Sequence, residues 1–316
     1  MKQLPLVSIV INSYNQAEFL EKTILSVLKQ KYDRMEILLV DCGSTDQSLE
    51  IIQHYQDQFA WWVSEKDLGQ ADGINHGLAH ANGELVAWLN SDDTYRPGAV
   101  AEAADAWMTD REAVLVYGDV VSVNEKDTPI RRIPCGNYQL ADLMMFKIIN
   151  QPGVFMNRKT LNQAGMLSLD YHFLLDHQLW LRLARLGKLT HVPQVWAAGR
   201  FHPAAKNLAS ADQFGQEAYR IARWLESDPA YVSEYQLLKN KVWAGAHRMN
   251  ARYLLDADQY AKAFGAYWKG LTRSPALVLP EWHRMVYCLL ALVGLKKIKS
   301  AYLHLRRKLQ PVHLED

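Results

Sequence analysis

Apolar residues along the first hundred positions recur in two alternating patterns. A continuous apolar run over 6–11 predicts a strand covered on both faces, and apolar residues at helical spacing over 17–29 predict a helix. A second apolar run over 36–40 completes a βαβ unit. The same alternation continues with helices and strands over 45–58, 61–63, 71–80 and 85–89. This order of elements predicts a doubly wound α/β sheet, whose ligands bind beyond the carboxyl ends of the strands.

The pattern of the second half is less regular. It predicts a helix over 99–108 and a strand over 113–117, and the spacing of Leu179, Leu183 and Leu186 predicts a further helix. Beyond position 209 nearly every segment has helical spacing. We therefore predict an α/β domain over 1–209, followed by a helical region over 210–316.

Composition and charge narrow the class of protein. Hydrophobic residues make up 49% of the chain and charged residues 22%, as in folded proteins, and a formal net charge of +1 does not favour a nucleic acid as partner. The three cysteines are far apart without CxxC spacing, which argues against a structural zinc site and a disulfide framework. No stretch reaches the roughly 18 to 20 apolar residues that span a bilayer. The sequence therefore predicts a soluble or peripheral protein with cytosolic thiols.

Polar clusters follow four of the predicted strands. They lie at 13–15, 41–46, 67–72 and 90–93. An ordinary loop explains any one of them, because Asp, Ser and Gly are common turn residues. Four clusters at the ends of neighbouring strands instead indicate a shared ligand site at one edge of the sheet.

Asp92 and Asp93 directly follow the apolar run over 85–89. Two adjacent carboxylates repel one another unless a hard cation or a hydrogen-bonding ligand offsets their charge. The pair therefore favours Mg²⁺ or Mn²⁺ as cofactor, bound together with phosphate oxygens. Such an ion acts as a Lewis acid on the charge of a departing diphosphate.

Four segments resemble the family-2 glycosyltransferases of the GT-A fold. They read Val-Ser-Ile-Val-Ile-Asn-Ser-Tyr-Asn, Val-Asp-Cys-Gly-Ser-Thr-Asp, Gly-Gln-Ala-Asp-Gly-Ile-Asn-His-Gly and Leu-Asn-Ser-Asp-Asp. Their order and spacing agree with that family, and the resemblance covers about 6–206. It implies a doubly wound mixed sheet with a Rossmann-like nucleotide half and an acceptor half. It also implies an inverting transfer of a sugar from a nucleotide-diphosphate sugar to a hydroxyl, in the synthesis of a bacterial surface polysaccharide or glycolipid.

The resemblance implies roles for single residues of these segments. Asp41 would hold the nucleotide base, and Ser13 and Asn15 would line the nucleotide pocket. Asp72 would lie beside the donor, and Asp92 near the ribose. These five residues form the expected nucleotide site.

Asp93 is the implied metal ligand, at a site of the Asp-x-Asp type. Asn90 stands where many relatives carry the first Asp, so one residue of the metal-ligand set is not assigned. Asp46 also belongs to the matching segments. We favour a structural role for Asp46, in which an acid near a helix N-terminus interacts with the helix macrodipole.

A segment of the second half, Leu175-Asp176-His-Gln-Leu-Trp-Leu-Arg-Leu, resembles the family's Glu-Asp segment ahead of a Leu-x-x-Arg helix. Asp176 matches the acid that serves as general base, although Leu175 replaces the usual acid before it. An inverting transfer needs a carboxylate that takes the proton of the acceptor hydroxyl on the face opposite the departing diphosphate. The alternative is that Asp176 caps a helix, since Asp is a favoured N-cap residue. His177 is expected in an exposed loop.

Two further segments complete the implied site. Gly-Arg-Phe-His-Pro over 199–203 resembles the family's Arg-x-His segment, in which Arg200 would contact the donor diphosphate and His202 would bind the metal. Lys206 would add charge, and the alternative is a basic loop without a ligand. Gln151 lies in a segment that resembles the lining of the acceptor and donor pockets.

The segment 282–308 mixes apolar and basic residues. Two interpretations stay open: a helix in the interface of an anionic membrane, or a helix packed on the domain or in a homodimer. The other expected partners are the nucleotide-sugar donor and a glycan or lipid-linked acceptor. The expected location is the cytoplasm, at the inner face of the cell membrane under the first interpretation.

Two other functions fit the sequence less well. A nucleotidyltransferase on a related sheet needs a Gly-rich loop with Lys or Arg after the first strand, and Ser-Tyr-Asn-Gln-Ala over 13–17 lacks it. A degenerate transferase that acts as a scaffold predicts loss of the metal or base carboxylate. Asp93 and Asp176 are both present.

Overall fold

The computed structural model describes residues 3–201 and 211–295. These residues form two compact units. The first unit comprises 3–139 and 149–201, and the second comprises 140–148 and 211–295. The chain therefore leaves the first unit for one short segment and then returns to it, which the sequence pattern did not indicate.

The first unit is built on one sheet, which has nine strands in the described part of the chain. The strands are β1 (Val7–Ser13), β2 (Met35–Asp41), β3 (Trp61–Ser64), β4 (Leu85–Asn90), β5 (Thr94–Tyr95), β6 (Ala113–Val123), β7 (Pro129–Ile133), β8 (Val154–Asn157) and β9 (Lys188–Arg200). Their order is β3-β2-β1-β4-β8-β6-β9-β5, with β7 paired to β6. The first seven helices are α1 (Ala17–Leu28), α2 (Ser48–Tyr55), α3 (Gln70–His80), α4 (Ala99–Thr109), α5 (Leu140–Met144), α6 (Arg158–Ala164) and α7 (Leu175–Leu186), of which α5 belongs to the second unit.

Strands β3, β2, β1 and β4 run parallel, so their carboxyl ends lie at the same edge of the sheet. The register pairs Ser13 with Asp41, Asp41 with Ser64, and Asn12 with Asn90. The polar clusters predicted at the strand ends therefore meet at one edge, as expected for a doubly wound sheet.

The other half makes the sheet mixed, as the GT-A resemblance implied. Strand β8 is antiparallel to both β4 and β6, whereas β6 and β9 are parallel. Strand β6 continues to Val123, well beyond the predicted end at 117. The two-residue strand β5 pairs Thr94 with Ala198 of β9. This pairing brings the residues that follow Asp93 beside the end of β9.

The core of the first unit lies between the sheet and its helices. Helix α1 buries the apolar face that its spacing predicted, which consists of Phe19, Leu20, Ile24 and Val27. Helix α3 packs so closely on β1 that a Cβ atom at Gly77 would overlap the Val10 side chain. The helices thereby fix the strand ends that carry the polar clusters.

The second unit is helical in its described C-terminal part. Its helices are α8 (Ala211–Ser227), α9 (Val232–Asp256), α10 (Tyr260–Arg273), α11 (Pro275–Val278) and α12 (Trp282–Leu292). Helix α9 packs against α8 and α10, and α10 packs against α12.

Within 3–201 and 211–295, no helix is both long and apolar enough to cross a membrane. Cys42, Cys135 and Cys288 are free thiols, in agreement with the absence of a predicted disulfide framework.

A buried carboxylate ties the start of α12 to the helices beneath it. The Glu281 side chain is 10% exposed and accepts hydrogen bonds from Arg252 Nε at 3.0 Å and from the Tyr267 hydroxyl at 2.9 Å. Arg248 Nε lies 3.8 Å from Glu281 Oε1, and Arg284 Nε lies 3.7 Å from Glu281 Oε2. Burial raises the pKa of Glu281, but the hydrogen bond and charge of Arg252, with the charges of Arg284 and Arg248, outweigh it and lower the pKa.

We expect Glu281→Gln to lower the free energy of unfolding by about 3 to 5 kcal/mol at neutral pH, because it leaves buried guanidinium groups without their counter-charge. The lowered pKa also fixes the pH dependence. The stability from Glu281 is present above the pKa of an unfolded Glu and is lost as pH falls through the folded pKa. Urea titrations at a series of pH values from about 7 to about 3, which includes the usual pKa of a Glu carboxyl group, measure both effects.

The matched control is Glu226→Gln in the same unit. Glu226 lies 3.5 Å from Lys239 Nζ at the surface, where its side chain is 40% exposed. Such a pair contributes about 0 to 1 kcal/mol. Equal losses in the two variants would contradict the buried-cluster account.

Candidate active site

The loops that follow β1 and β2 are joined by hydrogen bonds. Asn15 has a positive φ of 50°, its backbone N–H donates to Ser44 Oγ at 2.8 Å, and its Oδ1 accepts from the Thr45 backbone N–H at 2.8 Å. Asp46 accepts from the N–H of Ala17 and of Ser48, both at 3.0 Å. These two residues are the first of α1 and α2. Asp46 therefore has the helix N-terminal role favoured from sequence.

The charge of Asp46 is stabilised by these contacts. Burial raises its pKa, but hydrogen bonds from Ser48 and from the backbone of Ala17 outweigh burial and lower the pKa. The carboxylate therefore stays ionised at neutral pH and fixes the distance between the two loops. Asn15 is held by the same pair of loops.

Asp41, at the end of β2, is fully buried and has both carboxylate oxygens hydrogen-bonded. Ser64 donates its hydroxyl to Oδ2 at 2.6 Å, the Ser44 backbone N–H donates to the same oxygen at 3.0 Å, and the Ser44 hydroxyl donates to Oδ1. A further hydrogen-bond donor at Asp41 would share Oδ1 with the Ser44 hydroxyl or would displace one of the two serine hydroxyls. Both hydroxyls can rotate, so this exchange needs no backbone movement.

Ser13, at the end of β1, is fully buried, and its Oγ finds no hydrogen-bond partner among the described residues. An unsatisfied buried hydroxyl costs about 1 to 3 kcal/mol. A polar ligand atom at this edge would remove that cost. The orphaned hydroxyl is therefore consistent with a ligand site at the end of β1.

A chain of side-chain amides links α3, β4 and the turn before β8. Gln70 Nε2 donates to Asn90 Oδ1 at 3.0 Å, and Asn90 Nδ2 donates to Gln151 Oε1 at 3.3 Å. Gln151 Nε2 in turn donates to the Trp88 carbonyl at 2.7 Å. Gln151 was singled out from sequence, whereas Gln70 was not, although it lies in one of the matching segments. Only the folded chain shows that the two amides share Asn90.

Asp72 lies in the first turn of α3, where its Oδ2 accepts from the Leu68 backbone N–H at 3.0 Å. The loop before it has Gly69 at a φ of 121°, a conformation that L side chains rarely adopt. Asp72 thus closes the loop that enters α3. The helix also carries Gln70, whose amide reaches the end of β4.

Asp93 is 7% exposed and is held from two sides. Its Oδ1 accepts the backbone N–H of Arg200 at 2.9 Å, and the Thr23 hydroxyl lies 2.7 Å from its carbonyl oxygen and 2.9 Å from that of Ser91. Burial and the neighbouring charge of Asp92 raise the pKa of Asp93 well above its usual range, against hydrogen bonds from Arg200 and Asn90. A cation beside this carboxylate would stabilise its ionised form. The donor set of Asp93 and Asp92 therefore fits a hard divalent ion.

The Arg200 guanidinium lies beside the Asp92–Asp93 turn and is hydrogen-bonded to other groups of the protein. Its side chain is 1% exposed, Nε donates to the Asp92 carbonyl at 2.9 Å, and Nη1 donates to the Asn124 carbonyl at 3.1 Å. Nη2 lies 2.6 Å from an Asp127 carboxylate oxygen in the hairpin between β6 and β7. The group also lies over the Phe19 ring, 4.6 Å from its centroid. Arg200 thus holds the backbone of the Asp92–Asp93 turn.

Asp176 lies in the first turn of α7, which begins at Leu175 with Leu174 at the N-cap position. The N-cap residue Leu174 makes no side-chain capping hydrogen bond. Asp176 Oδ1 accepts the His177 backbone N–H at 2.7 Å in the first turn. The general-base role and the role at the helix start therefore both stay predictions for Asp176. His177 is 1% exposed and lies inside the helix, which contradicts the exposed loop expected for it.

Helix α7 packs directly against the strand that ends at Asn90. The Trp180 ring stacks on the Trp88 ring of β4 with centroids 5.4 Å apart. Asp176 lies four residues before Trp180 and therefore on the same side of the helix. Arg182, the arginine of the matching segment, donates to the carbonyls of Ala164, Gly165 and Met166 and so fixes the preceding loop to α7.

The sequence model of the family named Glycosyl transferase family 2 matches residues 8–165. This chain belongs to glycosyl transferase family 2. An uncharacterised glycosyltransferase of Nostoc sp. is 26% identical over 241 residues, which are 72% of this transferase and 75% of the relative. An uncharacterised glycosyltransferase of Rickettsia conorii is 26% identical over 207 residues, which are 62% of this transferase and 34% of that longer relative.

Solved structures of glycosyltransferases share the fold. The Pyrobaculum calidifontis mannosyltransferase PcManGT, in complex with GDP-Man and Mn²⁺, aligns with a TM-score of 0.60 at 20% identity, over 93% of this transferase and 88% of that chain. S. aureus TarS, in complex with UDP-GlcNAc, aligns with a TM-score of 0.56 at 14% identity, over 88% and 92% of the two chains. The transferase therefore has the GT-A type fold that its sequence implied.

The predicted metal ligands are only partly within the described structure. Asp93 is described, but His202 and Lys206 lie outside the described residues. Within 3–201 and 211–295, no group of three His, Cys, Asp or Glu side chains has a metal-binding arrangement. Of the two predicted metal ligands, the described part of the chain therefore contains Asp93, which lies beside Asp92.

The contacts of Arg200 predict a positioning role. We expect Arg200→Lys to raise the Mn²⁺ concentration for half-maximal nucleotide binding by about 10 to 100 fold, as for other groups that orient metal ligands. Lysine keeps the charge but cannot bond to Asp92, Asn124 and Asp127 together. Calorimetric titration of a nucleoside diphosphate at a series of Mn²⁺ concentrations measures the shift.

Lys22→Met is the matched control. Lys22 Nζ binds the same Asp127 carboxylate at 2.6 Å, but its side chain is 51% exposed. Surface pairs of this kind contribute little, so we expect a change of about fivefold at most. Nucleotide affinity that falls in Arg200→Lys without a change in the Mn²⁺ requirement would instead indicate direct contact with the diphosphate.

Proposed function

We propose that this family 2 member is a metal-dependent, inverting glycosyltransferase that moves a sugar from a nucleotide-diphosphate sugar to an acceptor hydroxyl. The observation that carries the proposal is the buried Asp93 carboxylate beside Asp92, at the sheet edge where the ends of β1, β2 and β4 meet. Ligands of open α/β sheets bind at this edge. The carboxylate pair gives the edge the chemistry that a diphosphate–metal complex requires.

The proposed donor site consists of Ser13, Asn15, Asp41, Asp72 and Asp92. Arg200, which the resemblance implied as a contact of the diphosphate, is proposed instead to position the Asp92–Asp93 turn. Ser13 offers an unsatisfied hydroxyl, and Asp41 offers a carboxylate whose serine partners can rotate. The contacts of Asn15 and Asp72 keep the two neighbouring loops in place. The complexes of PcManGT with GDP-Man and of TarS with UDP-GlcNAc support a nucleotide sugar as the donor class.

The proposed metal ligands are Asp93 and His202, with Mg²⁺ or Mn²⁺ as the ion. Bound there, a divalent ion stabilises the negative charge of the departing diphosphate. The chain's own contribution is to keep the two carboxylates at one turn. Thr23 holds that turn from α1, and the Arg200 backbone holds the Asp93 side chain. The Mn²⁺ in the PcManGT complex supports this class of ion.

Asp176 is the proposed general base. Its carboxylate takes the proton of the acceptor hydroxyl while the hydroxyl oxygen forms a bond to the anomeric carbon and the bond from that carbon to the diphosphate breaks. Attack opposite the departing group inverts the anomeric configuration. The stacking of Trp180 on Trp88 and the bonds from Arg182 fix the start of α7, so the base is held on a rigid element.

Gln151 is proposed to border the pocket between donor and acceptor. Its amide is held by Trp88 and Asn90, so its orientation is fixed before any sugar binds. The proposed role of the transfer is the synthesis of a bacterial surface polysaccharide or glycolipid at the inner face of the cell membrane. The family resemblance supports this role.

Thermal unfolding with a panel of nucleotide sugars tests the proposal. A ligand that binds only the folded state raises the midpoint, and the stabilisation grows with the logarithm of the ligand concentration over its dissociation constant. We expect at least one nucleotide sugar to raise the midpoint in Mn²⁺ or Mg²⁺ and to lose this effect in EDTA. No stabilisation by any nucleotide sugar with either ion would contradict the proposal.

A further inference from the structure

Helix α12 exposes an apolar face. Trp282, Val286, Leu289 and Val293 follow one another at helical spacing, with exposed fractions of 61%, 41%, 47% and 72%. Three more leucines of the same region are about half exposed, namely Leu279, Leu292 and Leu295. Single exposed apolar residues are ordinary, but a contiguous apolar stripe indicates an interaction surface.

The opposite side of α12 is already used. Met285, Cys288 and Ala291 are buried in the core of the second unit, together with residues of α10. Glu281 fixes the start of the helix through Arg252 and Tyr267. The helix therefore cannot rotate to bury its outer stripe without breaking this core.

The charges of the adjoining sequence identify the partner. The whole chain has 35 Lys and Arg against 34 Asp and Glu, yet no Asp or Glu occurs from 282 to 314. Six basic residues follow α12 in the last 21 residues: Lys296, Lys297, Lys299, Arg306, Arg307 and Lys308. From 282 to 314 every Asp, Glu, Lys or Arg is basic. An apolar stripe followed by such a segment matches a surface with an apolar interior and a negatively charged exterior.

We infer that the outer stripe of α12 inserts into the headgroup region of an anionic lipid bilayer. The apolar side chains lie among the acyl-chain ends, Trp282 lies at headgroup level, and the basic segment is attracted by the anionic headgroups. This inference does not rest on the proposed sugar transfer, because it is carried by α12 and the sequence after it.

The apolar stripe could instead pack against the same stripe of a second copy of the chain, in a dimer. In a symmetric pair each stripe would face an identical stripe, and the partner's residues from 282 to 314 include no acid that could pair with the basic segment. The charge pattern therefore favours the bilayer over a dimer.

Flotation of the full chain with phosphatidylcholine vesicles, with and without phosphatidylglycerol, tests the inference. We expect binding to the anionic vesicles alone, weakened at high salt because salt screens the attraction. A variant with both Val286→Glu and Leu289→Glu should lower the partition coefficient more than about tenfold, since it removes two inserted side chains. Truncation after Leu295 should lower it by at least about tenfold, since it removes six basic residues and only two acidic ones, Glu315 and Asp316.

Two design choices keep the test specific. Leu237→Glu is the control, because Leu237 is 86% exposed on α9 of the same unit, and it should leave flotation unchanged. Deleting the chain after Pro280 is avoided, since it would also remove the buried residues Met285, Cys288 and Ala291.

Three outcomes would overturn the inference. They are equal binding to neutral and anionic vesicles, full binding by the glutamate variant, and no binding by the full chain. If light scattering shows that the full chain is a dimer and that Val286→Glu with Leu289→Glu makes it monomeric without changing flotation, the stripe belongs to a second copy. Because no nucleotide sugar is present, failure here leaves the proposed transfer untouched.

Discussion

Asp176→Asn is expected to lower the turnover number by about 10² to 10⁴ fold, the usual effect of losing a general base. An amide cannot take the proton of the acceptor hydroxyl. It does keep an oxygen that can accept the His177 backbone N–H, as the Asp176 carboxylate does at 2.7 Å. Folding, Mn²⁺ dependence and nucleotide affinity should therefore stay close to those of the wild type.

The matched control is Asp170→Asn, in the loop that precedes α7 and five residues before the helix begins. Asp170 is exposed, and Asp176 lies in the first turn of the helix. We expect turnover of Asp170→Asn near that of the wild type. If Asp176→Asn turns over within a few fold of the wild type while Asp170→Asn does not, the base is Asp170.

Asp93→Asn is expected to remove metal-stimulated transfer, with a loss of at least about 10² fold, because a bound ion contributes several kcal/mol of charge stabilisation. Asparagine retains an oxygen that can accept the Arg200 backbone N–H, so the turn should keep its conformation. The binding of a nucleoside diphosphate should also lose its dependence on Mn²⁺. Calorimetry measures this binding without any need for activity.

The variant Asp92→Asn distinguishes the role of the Asp92 carboxylate from that of the Asp93 carboxylate. The proposal assigns Asp92 to the donor and Asp93 to the ion. Asp92→Asn should therefore weaken nucleotide binding equally with and without Mn²⁺. Retained activity of Asp93→Asn at saturating donor without added metal would show that Asp93 is not the metal ligand.

The parallel half of the sheet could be predicted from sequence because its strands are buried on both faces. Such strands read as continuous apolar runs, and β1, β2 and β4 end within two residues of their predicted ends. The other half lacked this signal. Strands β5, β7 and β8 have two, five and four residues, and β9 includes exposed positions such as Gln194. Their pairing depends on distant partners, which local patterns do not encode.

The placement of 140–148 in the second unit also depends on distant contacts. Gly245 of α9 lies against the Met145 backbone, where a Cβ atom would overlap the carbonyl oxygen. Arg248 donates to the Phe146 carbonyl at 3.2 Å. These contacts link positions about one hundred residues apart. No periodicity in a short window contains that information.

At the candidate site, residue types were predictable but their partners were not. The acids and amides stand where the strands end, as the clusters indicated. The sequence did not show that the Arg200 guanidinium bonds to Asp127 and the Asp92 carbonyl, because the hairpin that carries Asp127 was not predicted. It also did not show that Asp41 is already paired with two serines. Such contacts follow from the tertiary fold.

The most direct test of the account is the anomeric configuration of the first sugar product, followed by proton NMR. The experiment uses an α-linked nucleotide sugar selected from the thermal panel, with Mn²⁺ and the wild-type chain. The account predicts release of the nucleoside diphosphate together with a β-configured product, and loss of both signals in Asp93→Asn and Asp176→Asn. An α-configured first product, or equal release by the wild type and the two variants, would contradict it.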